Sequence, residues 1–90
     1  MTFSFNLSDE LKSTLLVLAK KDKPLADAIN KKIRQIIDSD AIDHYKNLRH
    51  DLNNYKRVHI RKSFVLLFKV NKKDNHILFD RFGYHDDIYT

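Results

Sequence analysis

The run Phe64-Val65-Leu66-Leu67-Phe68 is apolar at every position, and it limits the folds open to this chain more than any other feature. Successive side chains of a strand point to opposite faces, so an unbroken apolar run needs cover on both. The spacing therefore predicts a central strand over Phe64 to Val70, covered by helices on one side and partly by other residues on the second. Two further β patterns flank it, Tyr55 to Ile60 and Ile77 to Phe82. The segments Arg61-Lys62-Ser63 and Asn71-Lys72-Lys73-Asp74-Asn75 separate the three, which predicts an antiparallel meander whose last strand ends at the only glycine, Gly83.

Upstream the periodicity differs. Phe3, Phe5 and Leu7 alternate with small or polar residues, the pattern of a half-buried first strand over residues 2 to 7. Ser8 offers a helix N-cap, with Asp9 and Glu10 suited to the positive end of the helix dipole, and Leu11, Leu15 and Leu18 form one apolar stripe. Pro24 suits the first turn of a second helix, where its missing N–H has no helical partner. That helix places Leu25, Ile29, Ile33 and Ile36 on one face, turns Lys31, Lys32 and Arg34 mostly outward, and ends near Ser39 and Asp40. Residues Ala41 to Asn54 are polar and irregular and read as a long connection. The expected class is α+β, ordered β-α-α-β-β-β, with a helical hairpin packed on one face of a small, mostly antiparallel sheet.

At 90 residues there is room for one core, so residues 1–90 are expected to form a single domain. The absence of cysteine excludes a disulfide framework and a thiolate metal site and fits an intracellular protein. No apolar run approaches the length of a bilayer span, and Met1 to Asn6 lacks the regions of a signal peptide, so a soluble, cytoplasmic protein with no membrane partner is expected.

The formal charge of +5 makes a polyanion the natural partner, nucleic acid first and an acidic protein second. Between Lys46 and Lys62 six basic residues (Lys46, Arg49, Lys56, Arg57, Arg61 and Lys62) face only Asp51. If Val58 and Ile60 point into the core, alternation gathers Arg57, His59 and Arg61 on the opposite face. Such a row is also what a solvated sheet face looks like. An Arg/His face can nevertheless hold a phosphate chain, and imidazole can move a proton at neutral pH.

RNA hydrolysis uses both properties. A base takes the ribose 2′-hydroxyl proton, the oxygen attacks phosphorus, cations stabilise the transition state, and an acid protonates the leaving 5′-oxygen. No metal or other cofactor is required. His59 and His85 are the candidates for proton transfer, Arg57 and Arg61 for charge stabilisation, and Tyr89 for base stacking or a hydroxyl. His44, His50 and His76 are read as surface histidines. The cluster His85-Asp86-Asp87 is not read as a metal site, because adjacent residues of an extended segment point in alternate directions.

Four stretches together resemble a known family: Tyr45-Lys46-Asn47-Leu48-Arg49, Tyr55-Lys56-Arg57-Val58-His59-Ile60, the apolar strand Phe64 to Val70, and Gly83-Tyr84-His85-Asp86-Asp87-Ile88-Tyr89. Their order and spacing are similar to the RelE/ParE superfamily of type II toxins, especially its RelE and YafQ-like ribonuclease branch. The resemblance implies ribosome-dependent cleavage of mRNA in the A site and a cognate antitoxin that neutralises the basic surface. By position, His59 and His85 match two histidines of the YafQ-like branch and Tyr89 matches its closing aromatic. Arg57 occupies a basic strand position, and Lys46 falls near another basic or histidine position. Ser63 and Val65 depart from the pattern: the first stands where YafQ-like members tend to carry an acid, the second where RelE-like members often carry a catalytic arginine. The resemblance leaves Arg61 or Arg81 as substitutes.

The leading expectation is thus an mRNA-cleaving endoribonuclease with His59, His85, Tyr89 and Arg57 as catalytic residues. Lys46, Arg49, Lys56, Arg61, Lys62 and Arg81 are the expected phosphate contacts. The alternatives are a ParE-like gyrase inhibitor and a non-enzymatic basic module that docks RNA or protein. Against the last stands an expected lack of paired aromatics on adjacent strands, the usual platform of RNA-binding sheets.

Overall fold

The structure, a computed structural model, describes residues 2–48 and 54–88. Strand β1 (Ser4–Leu7) leads into helix α1 (Asp9–Lys21) and helix α2 (Lys23–Ile37). Strands β2 (Lys56–Ile60), β3 (Phe64–Asn71) and β4 (His76–Tyr84) follow, and a short helix α3 (His85–Ile88) ends the described chain. The sheet order is β1-β4-β3-β2, with β1 parallel to β4 and the other neighbours antiparallel.

Local chemistry fixes each helix start. The Ser8 hydroxyl accepts the Leu11 N–H at 3.1 Å and donates to the Asp80 carbonyl, so a single N-cap also ties α1 to β4. Asp22 alone separates the helices. Its N–H closes α1 on the Leu18 carbonyl and its carboxylate accepts the Leu25 N–H, while Pro24 sits in the first turn of α2. The predicted stripes point inward: Leu11, Leu25, Ile29, Ile33 and Ile36 pack against Ile60, Leu66, Phe68, Ile77 and Phe79, with Leu15 and Leu18 at the margin.

The central strand is covered twice, as its run of apolar residues requires. Leu66 and Phe68 face the helices, whereas Val65 and Leu67 join a second, smaller cluster with Leu48 and Ile88, flanked by Tyr55. Helix α3 supplies this second cover by folding Ile88 back over the sheet. The partial cover expected on the second face is thus a small cluster to which Leu48, Tyr55 and Ile88 contribute. Nor does Gly83 end the strand. It keeps a negative φ, β4 continues through Tyr84, and the His85 N–H donates to the Ser63 carbonyl at 2.8 Å.

Two irregularities set side-chain directions. Leu67 pairs with Arg81 and Phe68 with Phe79, so Asp80 is an extra residue, a β-bulge that reverses the in-and-out parity of β4 beyond it. Residues 46–48 of the long connection run along β2: the Arg57 N–H donates to the Lys46 carbonyl, Asn47 bridges to Lys56, and the Leu48 N–H donates to the Tyr55 carbonyl. A short 3₁₀ turn over Ile42–His44 precedes them.

Candidate functional site

His59 and Val65 are register partners, and Val65 pairs in turn with Gly83, so His59 stands two strands away from the end of β4. The turn into α3 then brings His85 beside it. Their imidazoles stack with centroids 5.8 Å apart and planes 20° from parallel. Both rings are exposed. They line an open cleft of about 470 Å³ together with Lys62, Ser63, Tyr84 and Asp86. Asp86 Oδ1 lies 3.5 Å from His85 Nδ1, at the margin of hydrogen-bond range, and can orient that ring.

Of the other expected residues, Arg57 lies on the His59 face of β2, half-buried, with Lys46 opposite it across the added backbone ladder. Lys62 is at the cleft itself. Arg61 does not continue the Arg57/His59 row. Its φ of 56° is left-handed, which ends strand alternation and places it with Lys31, Lys32, Gln35 and Ala28 in a second depression that also touches His59. Arg81 lies apart from the pair, with Nε 3.7 Å from a Glu10 carboxylate oxygen at the start of α1.

Lys56 differs most from expectation. It is 9% exposed, and its ammonium donates to the Tyr45 carbonyl at 3.1 Å and to Asn47 Oδ1 at 2.8 Å. The residue pins the 45–48 segment to the sheet and offers no open cation to a phosphate. Strand parity carries the signal for this, since Lys56 shares its face with Val58 and Ile60. Val65 is fully buried in the second cluster, so the position associated with a catalytic arginine is a packing position. Arg49, His50, Asp51 and Tyr89 lie outside the described residues.

His76 is more constrained than a surface histidine read from a loop. It opens β4, with Nδ1 2.8 Å from the Ser4 hydroxyl and Nε2 2.6 Å from Asn6 Oδ1. His85, Asp86 and Asp87 occupy one helical turn, not an extended segment, and among the described residues no group of three or more His, Asp or Glu side chains is placed to hold a metal.

Sequence reasoning also missed an aromatic ladder. Phe64 stacks on Phe82 (5.1 Å, 15°) and on Tyr84 (4.7 Å, 28°), so paired aromatics on adjacent strands are present after all. Only the Asp80 bulge puts Phe82 and Tyr84 on the Phe64 face, and no periodicity announces it.

No helix among the described residues is long and apolar enough to cross a membrane. No family model matches the chain. A protein of Methanocaldococcus jannaschii that bears the name of a RelE toxin, RelE4, is 44% identical over 87 residues, covering 97% of this chain and 90% of the relative. The solved structure of a YafQ variant from Escherichia coli superposes with a TM-score of 0.75 at 15% identity, over 98% of this chain and 99% of that one. A chain of the Staphylococcus aureus YoeB–YefM complex gives a TM-score of 0.75 at 20% identity, over 94% of this chain and 99% of that one. These two structures share the fold, and the identity with RelE4 carries the kinship: the chain belongs to the RelE/YafQ-like family of type II toxins.

Proposed function

We propose that this toxin is a metal-independent endoribonuclease that cuts mRNA, with His59 and His85 as its proton-transfer pair. The observation that carries the reading is the exposed, stacked imidazole pair in a cleft bordered by Lys62. Imidazole is the side chain whose ordinary titration spans neutral pH, so one ring serves as base and the other as acid. The neutral ring takes the 2′-hydroxyl proton, and the 2′-oxygen attacks the adjacent phosphorus. The P–O5′ bond breaks, the protonated ring delivers its proton to the leaving oxygen, and a 2′,3′-cyclic phosphate remains. Lys62 and Arg57, with Lys46 opposite Arg57, supply positive charge for the phosphorane-like transition state and the flanking phosphates. Tyr89 remains a candidate for base stacking or a proton transfer, Arg49 for a phosphate contact.

The cleft is open and built at one end of the sheet, across the β2–β3 turn and the end of β4, which suits a single strand presented by a larger body. The ribosomal A site is the proposed setting. An antitoxin that covers the basic face is the proposed cellular partner, in keeping with the YefM-bound state of the structurally similar YoeB.

The deciding experiment is controlled expression followed by mapping of mRNA 5′ ends, with wild type, His59→Ala and His85→Ala in parallel. Cuts within translated codons that vanish in both variants are expected. Equal cutting in all three proteins sinks the assignment of the pair, and intact mRNA with wild type in arrested cells turns the reading toward a non-enzymatic toxin.

A further inference from the structure

Tyr84 is 58% exposed, yet it is not an isolated surface aromatic. Phe64 covers one face of its ring at 4.7 Å, and Phe82 backs Phe64 at 5.1 Å. Phe64 and Phe82 are half-buried and pack against the main core, so the three rings form a column rooted in the core with Tyr84 at its solvent end. No other ring stacks on Tyr84 among the described residues. Tyr84 is also one of the residues bordering the cleft that holds His59 and His85, at the rim where its ring stands on the Phe64 face of the sheet and His59 on the other.

Large apolar side chains are seldom left so open next to a polar cleft without a partner. A tyrosine whose orientation is already fixed by a ring behind it loses little freedom when a flat ligand arrives. The natural occupant of an exposed π face one residue from a proton-transfer group is a nucleobase, because every base has a π face and unstacked single-stranded RNA presents it.

We propose that Tyr84 is the stacking platform for the base of a nucleotide flanking the scissile phosphate, extending the Phe82–Phe64–Tyr84 column by one ring. This rests on the ribonuclease reading and deepens it: the column holds the nucleotide in place while His59 and His85 act on its phosphate. Purines stack over more area than pyrimidines, so the position favours a purine. The role is one of positioning, and it falls on substrate affinity, not on proton transfer.

The chain has no tryptophan, so Tyr84→Trp installs a single reporter on the column. The probe is an oligoribonucleotide methylated at every 2′-hydroxyl, which binds without being cut. Quenching of the reporter is expected, stronger for purine-rich than for pyrimidine-rich probes. With cleavable RNA, Tyr84→Leu keeps apolar cover over Phe64 but removes the π face. It is expected to raise KM roughly tenfold with little change in kcat, whereas Tyr84→Phe stays near wild type. An unquenched reporter together with wild-type KM in Tyr84→Leu overturns the proposal. So does a Tyr84→Leu variant that cuts normally but loses antitoxin binding, which would assign the ring to a protein contact. Quenching with no cleavage by wild type on ribosomes programmed with the cleavable RNA would leave the platform standing and remove the ribonuclease reading instead.

Discussion

The two ends of the sheet hold the same kinds of side chain and use them in opposite ways. At the end where β2 begins and β3 finishes, polar groups bond to one another. His76 is held by Ser4 and Asn6, Lys56 by Tyr45 and Asn47, Lys72 by Asp43, and Asn71 by the turn residue Asp74. At the far end His59 and His85 stack in the open, Lys62 is exposed, and Tyr84 presents a ring to solvent. Residue type alone does not separate His76, held between Ser4 and Asn6, from the exposed, stacked pair.

The comparison can be broken most decisively at His59. Among the described residues no side chain hydrogen-bonds its ring, so His59→Ala should change stability by no more than about 0.5 kcal/mol. The proposed cleavage of mRNA on programmed ribosomes should fall by roughly a hundredfold or more. A large drop in Tm with retained cleavage would place His59 in the structural class.

Lys56 tests the opposite end. Lys56→Met removes the donor for the Tyr45 carbonyl and Asn47 Oδ1 and should cost about 2 kcal/mol, with the Tm lowered by several degrees. RNA affinity corrected for folded fraction should be unchanged. A folded, stable variant that binds RNA poorly would restore Lys56 to the phosphate contacts. His76→Ala should cost about 1 kcal/mol in urea unfolding and leave cleavage intact, the reverse of His59→Ala.

The smallest effect concerns acid. The hydrogen bond from Lys72 holds the Asp43 carboxyl below its ordinary value. A carboxylate with a lowered folded pKa contributes stability above the unfolded pKa and loses it as pH falls through the folded one. Both side chains are largely exposed, so the contribution is small and weakens with salt. Asp43→Asn should slightly flatten the acid limb of a stability–pH curve at low ionic strength and leave neutral activity unchanged.

The elements whose signals are local were legible in the sequence. Ser8, Asp22 and Pro24 act on their own helix turns, and the stripes of α1 and α2 and the double-faced run in β3 follow directly from periodicity. What stayed hidden depends on partners distant in the chain. The placement of residues 46–48 beside β2 is a matter of cross-strand pairing, the four-residue α3 is too short to show a period, and Arg61 leaves its row through one left-handed φ. His59 and His85 were chosen by type and resemblance, and their stacking arises only when β4 passes β3 and turns. Lys56 is the instructive miss, because its parity was available and its charge spoke louder.

The bulge at Asp80 has a consequence for how such a site can change. Beyond it, Phe82 and Tyr84 share one phase of the strand and Arg81 and Gly83 the other. Removing a single codon there would exchange the two sets, turning the aromatic column out of the core and bringing arginine toward it, without altering any side chain. Length variation at one strand position thus acts as a discrete selector of which chemistry borders the cleft. Relatives that differ by one residue at this position would turn different side chains toward the core.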